Sequence, residues 1–145
     1  MQVKFKIEER PGKGKCVIAD QFIAKDAITW KLDAAPFKFF HSRQEPEDYL
    51  QDKSAEERVR VLDRAFGTAD GRVVHLLDNA NLMNHDSHSN TLHDNVNLVE
   101  RAARDIQCGE EITNNYAHYA IVDWFDALCK EHGVSTTTDV ISTYS

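Results

Sequence analysis

No apolar run in this sequence approaches the length needed to span a bilayer. The first residues, Met1 to Phe5, already alternate apolar and polar side chains, so we expect no signal peptide. Hydrophobic residues make up 41% of the 145 positions, which is enough for one globular core. These features argue against a membrane or secreted protein and predict a single-domain intracellular protein, cytoplasmic or nuclear.

Cysteine is scarce as well. The cysteines are odd in number and far apart, so they predict neither a disulfide framework nor a zinc site. Grouping them with the histidines of 85–93 gives no zinc-ligand spacing either, and we predict no metal site. The three cysteines, which suit a reducing compartment, are Cys16, Cys108 and Cys129.

The chain has no excess of positive charge. It carries 17 Lys and Arg against 24 Asp and Glu, a formal net charge of -7. Phosphate groups are repelled by such a surface, so we expect no direct nucleic-acid partner. The charge would favour a basic partner such as a lysine-rich protein, but it is equally well explained by solubility. The sequence indicates no interface between copies, so the oligomeric state stays open.

Alternating apolar and polar residues predict short strands through much of the chain. Turn residues such as Pro11–Gly12 and Asp70–Gly71 separate them. The pattern therefore predicts a mainly β domain, with strands near 3–7, 16–19, 28–32, 73–77 and 96–103.

Two parts of the chain have helical spacing instead. Ser54 and Glu57 form a capping box, and apolar residues follow at helical intervals to Phe66, which predicts a helical insertion over 46–66. A second helix is predicted over 120–133, with Asp123 as its N-cap. We place the domain at 1–133 and expect the Ser/Thr-rich residues 134–145 to be a loose polar tail.

Two segments carry chemical information. In 81–90 the pair Asn84-His85 is followed five residues after the histidine by Asn90, and 104–116 contains Gly-Glu-Glu-Ile-Thr before Tyr116. A weaker third segment, 14–19, reads GKCVIA. In their order and spacing the segments resemble the signatures of the SET domain family, the protein-lysine methyltransferases that use S-adenosylmethionine, in a stand-alone, single-domain form.

This resemblance implies a fold of several small, curved sheets with a short helical insertion and a C-terminal helix. The two signature segments would cross in a pseudoknot, a rare exception to unthreaded chains. It also implies methyl transfer from S-adenosylmethionine to the side-chain amine of lysine in a protein substrate, with histones among the basic candidates. Cofactor and lysine would meet in a narrow channel.

The resemblance assigns the central catalytic role to Tyr116. Methyl transfer needs the amine, methyl carbon and sulfur in line, and it needs the amine to be neutral. A free lysine has a pKa of about 10.4, so a dry channel and the nearby sulfonium must lower it. The Tyr116 hydroxyl would orient the amine and accept weak C–H···O contacts from the methyl group. A phenol with a pKa of about 10 is a poor general base at neutral pH.

Cofactor binding is implied for residues in all three segments. Gly14 lacks a Cβ and would let the backbone approach the cofactor closely. Cys16 stands where the family usually has a second glycine and would narrow the pocket. Asn81 stands where many relatives have an arginine that holds the cofactor carboxylate.

Asn84 and His85 would bind the cofactor through the amide and through backbone groups, but His85 equally suits a structural role in the crossing loops. Asn90 suits a structural role, its amide satisfying the turn backbone. Trp124 would close the site, or else pack as an ordinary helix residue. The implied cofactor-binding set is Gly14, Lys15, Cys16, Asn81, Asn84, His85, Tyr116 and Trp124.

Substrate contacts are implied for Asn114 and Tyr119. Asn114 takes the place of an aromatic residue, two positions before the catalytic tyrosine, that shapes how many methyl groups relatives add. Tyr119 or Trp124 would supply an aromatic wall for the lysine stem. The departures at Cys16, Asn81 and Asn114 keep a second hypothesis open, a catalytically weak or inactive SET domain that binds peptides or partners.

Overall fold

The computed structural model describes residues 1–32, 37–77 and 82–144, with side chains through residue 140. Within these ranges the chain contains short strands, helices of about two turns or slightly more, and a 3-10 turn at Tyr116–His118. The strands are β1 Phe5–Arg10, β2 Gly14–Ala19, β3 Ile28–Lys31, β4 Phe37–Phe40, β5 Ala65–Gly67, β6 Val73–Leu76, β7 Asn84–His85, β8 Thr91–Asp94, β9 Val99–Ala102 and β10 Thr113–Asn114. The helices are α1 Gln44–Leu50, α2 Ala55–Asp63, α3 Asp123–Glu131 and α4 Thr137–Tyr144.

The described strands form small separate sheets. β1 and β2 make an antiparallel hairpin, β3-β9-β8 and β4-β6-β5 are antiparallel triplets, and β7 pairs with β10 in parallel. The prediction of a mainly β fold with several small sheets is confirmed. No helix in the described ranges is both long and apolar enough to cross a membrane.

The β1–β2 hairpin depends on glycine at its turn. Gly12 and Gly14 have φ angles of 76° and 74°, a region that side chains with a Cβ rarely adopt. The turn closes a register that runs from Arg10↔Gly14 to Phe5↔Ala19. The turn therefore ends at Gly14, which is the exposed first residue of β2.

The helical insertion predicted over 46–66 corresponds to α1 and α2, but both of its bounds are wrong, because α1 begins at Gln44 and α2 ends at Asp63. The N-cap half of the predicted capping box forms: Ser54 Oγ accepts a hydrogen bond from the Glu57 N–H at 3.2 Å. The helix stops at Asp63, and Phe66 lies in β5, where it pairs with Val74 of β6. An aromatic residue suits a strand, and pairing with β6 overrides the helical spacing.

The C-terminal region is more ordered than predicted. Asp123 lies in the first turn of α3 rather than at its N-cap, which is Val122. The expectation of a loose tail is wrong, because Thr137–Tyr144 forms α4. Thr136 and Asp139 cap this helix reciprocally: Thr136 Oγ1 accepts from the Asp139 N–H at 3.2 Å, and Asp139 Oδ2 accepts from the Thr136 N–H at 3.0 Å.

The strand predicted over 96–103 is also shorter in the structure. Asp94 Oδ1 accepts hydrogen bonds from the N–H groups of Val96 and Asn97, which makes a tight turn of residues 94–97. The turn joins β8 to β9, so His93 comes to lie opposite Glu100. The hydrogen bonds of the Asp94 side chain therefore outweigh the strand preference of the alternating pattern in residues 96–98.

Two apolar clusters form the core. One lies beneath the β3-β9-β8 sheet around Trp30 and Ile112, and the other joins α1, α2 and α3 around Phe40 and Leu128. Gly67 marks where the chain after Tyr119 crosses β5, because a Cβ there would lie 2.4 Å from the Ala120 carbonyl oxygen. This close crossing brings Tyr119 next to β5.

Candidate active site

The two signature segments meet in the short parallel pair β7–β10. Asn84 is in register with Thr113 and His85 with Asn114. Asn90 ties the segments together further: its Oδ1 accepts from the Thr113 N–H at 2.9 Å, and its Nδ2 donates to the Glu111 carbonyl oxygen at 2.7 Å. The side chain of Asn90 is buried, so these bonds satisfy polar groups that water cannot reach.

A cavity of about 310 Å³ opens beside this junction. The signature segments, the β1–β2 hairpin, α2, α3 and α4 all contribute to its lining. Side chains of both charges are present, so the cavity offers contacts to cations and anions. Among the lining residues are Lys13, Lys15, Asp63, Glu100, Tyr116 and Tyr119.

Tyr116 is held at both its backbone and its hydroxyl. The Tyr116 N–H donates to His85 Nδ1 at 3.0 Å, and the hydroxyl donates to the Met83 carbonyl oxygen at 3.0 Å. Burial, with the nearby charges of Asp63 and Glu100, raises the pKa of Tyr116 to about 12. The hydroxyl is therefore protonated at neutral pH, and with its hydrogen directed to Met83 it can still accept contacts through its lone pairs.

His85 links the two segments and does not line the cavity. Because its Nδ1 accepts from the backbone of Tyr116, the neutral ring carries its hydrogen on Nε2. Burial lowers the pKa of His85 and favours this neutral form. The observed contacts fit the structural role that the sequence left open for this histidine.

The side chain of Asn84 is held by Glu111 and by the start of β2. Its Nδ2 donates to Glu111 Oε2 at 2.7 Å, and it lies 3.2 Å from the Lys15 carbonyl oxygen and 3.4 Å from Cys16 Sγ. Since the amide nitrogen is used within the protein, a ligand contact of this side chain would use its oxygen. Asn84 lines the cavity.

The three residues of segment 14–19 that we predict to bind the cofactor have different positions relative to the cavity. Gly14 is exposed, and a Cβ built on it would meet nothing within 4 Å, so the space beside it is open. Lys15 lines the cavity. Cys16 is fully buried, and burial raises the pKa of its thiol. Its side chain does not line the cavity, so the expected narrowing of the pocket by Cys16 is not observed.

Trp124 does not line the cavity either. It packs on the edge of the helical cluster, with its ring centroid 6.1 Å from that of Phe125. Successive residues of a helix point in different directions, and on α3 the residues that line the cavity are Phe125 and Cys129, one turn apart. The ordinary packing interpretation of Trp124 fits this position. Asn81 lies outside the described residues.

Asn114 and Tyr119 are brought together and both line the cavity. Asn114 Nδ2 donates to the Tyr119 hydroxyl at 2.7 Å, and Asn114 Oδ1 lies 2.9 Å from Thr91 Oγ1. The Tyr119 ring stacks on Phe66 at a centroid distance of 4.7 Å and lies 5.5 Å from the ring of Tyr116. The two tyrosines thus form one aromatic wall.

Sequence reasoning missed several residues around the cavity. Glu111 was part of a signature, but its bonds to Asn84 and Lys13 could not be read from the motif. Lys13 Nζ lies 2.6 Å from Glu111 Oε1. Glu100 is a buried acid on β9. The sequence offered only one hint of its role, because it is a charged residue inside a predicted strand. Within the described ranges, no group of three His, Cys, Asp or Glu side chains is arranged to hold a metal ion.

Solved structures with this fold include methyltransferases. A candidate histone methyltransferase from Plasmodium falciparum is 19% identical and aligns over 81% of this chain and 96% of its own, with a TM-score of 0.54. The methyltransferase domain of human histone-lysine N-methyltransferase SETMAR is 17% identical over 81% of this chain and 46% of its own, with a TM-score of 0.56. At these identities the likeness establishes the fold.

A third similar structure is ctPRC2 in an autoinhibited conformation bound to S-adenosylmethionine. It is 16% identical over 87% of this chain, with a TM-score of 0.58, and this chain spans 16% of its length. No curated protein sequence matches the chain. The sequence model of the SET domain matches residues 14–117, a range that contains the glycine segment, both signatures and Tyr116. The chain therefore belongs to the SET domain family, whose methyltransferases use S-adenosylmethionine.

Proposed function

We propose that this protein transfers a methyl group from S-adenosylmethionine to the side-chain amine of lysine in a protein substrate. The observation that carries the proposal is the position of Tyr116. Its protonated hydroxyl is fixed by the Met83 carbonyl oxygen in the wall of a cavity built from both signature segments. A hydroxyl held in this way can orient an amine without needing to act as a base.

The residues at the cavity fit the cofactor. Lys15 and Lys13 offer cations for its carboxylate, and Asn84 offers its amide oxygen. Gly14 does not line the cavity, but it precedes Lys15 and has open space beside it for close backbone approach. A volume of about 310 Å³ is at the lower end of small-ligand pockets. When bound, S-adenosylmethionine supplies an electrophilic methyl group on a sulfonium.

The protein's own contribution is positioning and exclusion of water. His85 fixes the backbone of Tyr116, and the aromatic wall of Tyr116 and Tyr119 would enclose the lysine stem. The aromatic faces of Tyr116 and Tyr119 would keep water from the amine, and loss of water disfavours its charged form.

The substrate that we propose is a basic protein or peptide, with histones as one class to test. The net charge of -7 favours the approach of a lysine-rich partner and disfavours nucleic acid. The charge would raise the rate at which the two proteins meet, while the cavity would select the side chain that binds.

The test is methyl transfer from labelled S-adenosylmethionine to mixed histones and to a library of lysine peptides. In the wild-type protein we expect transfer to at least one lysine. Tyr116→Phe keeps the ring and removes the hydroxyl, and we expect it to lower kcat by roughly 10²-fold or more. Calorimetric titration should give similar cofactor affinities for both proteins.

Tyr49→Phe is the matched control, because Tyr49 packs against Phe40 and His75 and does not line the cavity. Loss of transfer in both variants would contradict the role of Tyr116. If the wild-type protein does not bind the cofactor, the methyltransferase proposal fails and the peptide-binding alternative replaces it.

A further inference from the structure

A buried histidine and a buried glutamate lie side by side next to the cavity, outside the family signatures. His93 Nδ1 lies 3.2 Å from Glu100 Oε1, and the two side chains are 2% and 3% exposed. They face each other across β8 and β9, where the register places His93 directly opposite Glu100. A carboxylate in such a place must be compensated, because loss of hydration is costly for a charged group.

His93 provides a partner for only one of the two carboxylate oxygens of Glu100. Glu100 Oε2 is buried and has no hydrogen-bond partner, and Glu100 lines the cavity. Another lining residue, Trp30, has a buried Nε1 without a partner. Unpaired buried polar atoms are uncommon in folded proteins, and they point to a missing partner such as a ligand.

Aromatic rings surround the same space. Tyr119 stacks on Phe66, Tyr116 lies beside Tyr119, and Trp30 meets Phe66 edge-on at a centroid distance of 6.4 Å. The charge of Glu100 also helps to raise the pKa of Tyr116 and of Tyr119, after the larger effect of burial, so its field reaches both hydroxyls. Aromatic faces and a carboxylate both attract a cation.

We propose that Glu100, held in place by His93, recognises the ammonium group of the side chain that enters this cavity. The inference rests on the proposed function for the identity of that side chain as a substrate lysine. Glu100 is then a specificity-determining residue: it favours a cationic side chain over a neutral one of the same size. This role concerns only the capture of the charged side chain, before methyl transfer.

The test uses binding of small probes rather than activity. n-Butylammonium has the shape and charge of a lysine side chain, and n-butanol is its neutral counterpart. Binding is followed by NMR through the indole N–H signals of Trp30, which lines the cavity, and of Trp124, which does not. Trp124→Phe assigns the two signals, and Trp124 serves as the internal control.

In the wild-type protein we expect n-butylammonium to move the Trp30 signal and to bind about tenfold more tightly than n-butanol, since a charge-assisted hydrogen bond exceeds a neutral one. Glu100→Gln has nearly the same shape, and we expect it to abolish this preference. Glu9→Gln removes the same charge from an exposed position on β1 and should keep the preference.

Glu100→Asp provides a second variant, and it should keep the preference for the cation while weakening its binding. The proposal is overturned if Glu100→Gln keeps the preference, if Glu9→Gln loses it equally, or if only Asp63→Asn, at the exposed edge of the cavity, removes it. Absence of any Trp30 shift in the wild-type protein would also overturn it. Because no methyl transfer is needed, a preference for the ammonium in a protein without transferase activity would support this inference and refute the proposed function.

Discussion

At the scale of single residues, Glu111 holds the part of the cavity where we propose that the cofactor binds. Its carboxylate is nearly buried between Lys13 Nζ, at 2.6 Å, and Asn84 Nδ2, at 2.7 Å. Burial alone would raise the pKa of Glu111, but the hydrogen bonds from Lys13 and Asn84 outweigh it and lower the pKa. Glu111 is therefore ionised at neutral pH and fixes two side chains that line the cavity.

Replacing Glu111 with Gln should weaken cofactor binding. The amide can still accept from Asn84, but the charge that holds Lys13 is lost, and charge-assisted bonds are roughly twice as strong as neutral ones. We expect the Kd for S-adenosylmethionine to rise by about 3- to 10-fold, measured by calorimetric titration. Glu110→Gln is the matched control, because the adjacent Glu110 bonds to Gln107 and Arg104 away from the cavity. Equal losses in the two variants would contradict this role.

At the scale of elements, the junction of the two signatures depends on side chains more than on strands. β7 and β10 contain two residues each, so few backbone bonds join them. Asn90 adds bonds to Glu111 and Thr113, and Thr91 Oγ1 donates to the Thr113 carbonyl oxygen at 2.7 Å. These buried bonds hold together chain segments that are distant in sequence.

Asn90→Ala should therefore destabilise the whole domain. It leaves the Thr113 N–H and the Glu111 carbonyl oxygen without their partners, and each unpaired buried group costs roughly 1–3 kcal/mol. We expect the unfolding free energy in urea to fall by about that amount or more. Asn97→Ala, which removes an exposed amide bonded to Asp94, should change it by less than about 1 kcal/mol. A similar loss in both variants would show that Asn90 is not a special support.

Elements also show where local patterns fail. Residues 65–67 continue the helical spacing of α2, but they become β5 because β6 offers them strand partners. The tail after Gly133 is polar, but Thr136 and Asp139 cap a helix there, and that helix packs on the 3-10 turn that begins at Tyr116. In both cases contacts with distant residues decide the structure of a short segment.

At the scale of the whole molecule, buried histidines link stability to pH. Burial lowers the pKa of His75, helped by the charges of Arg64 and Lys53, and burial also lowers that of His85. In the unfolded chain both titrate near 6.5. Below that pH the unfolded chain binds more protons than the folded one, so the unfolding free energy falls as the pH decreases.

We therefore expect the thermal midpoint to fall between about pH 7.5 and about pH 5.5, by roughly 2–4 °C for each kcal/mol lost. Carboxylates with lowered pKa values, such as Glu111, titrate from 4.5 downward and act only at lower pH. His75→Gln and His85→Gln should each reduce the fall, whereas His88→Gln, at an exposed loop position, should leave it unchanged. A fall of the same size in all three variants would assign it to other groups.

The sequence alone determined the family, the mainly β composition and the two segments that meet at Tyr116. The family follows from the resemblance of the motif segments to known signatures. The β composition follows from turn residues and alternation, which are properties of neighbouring positions. Only the tertiary structure decided that Phe125 rather than Trp124 lines the cavity, and that Cys16 lies in the core. It also decided that Glu100 meets His93, because a strand register joins residues that no spacing rule connects.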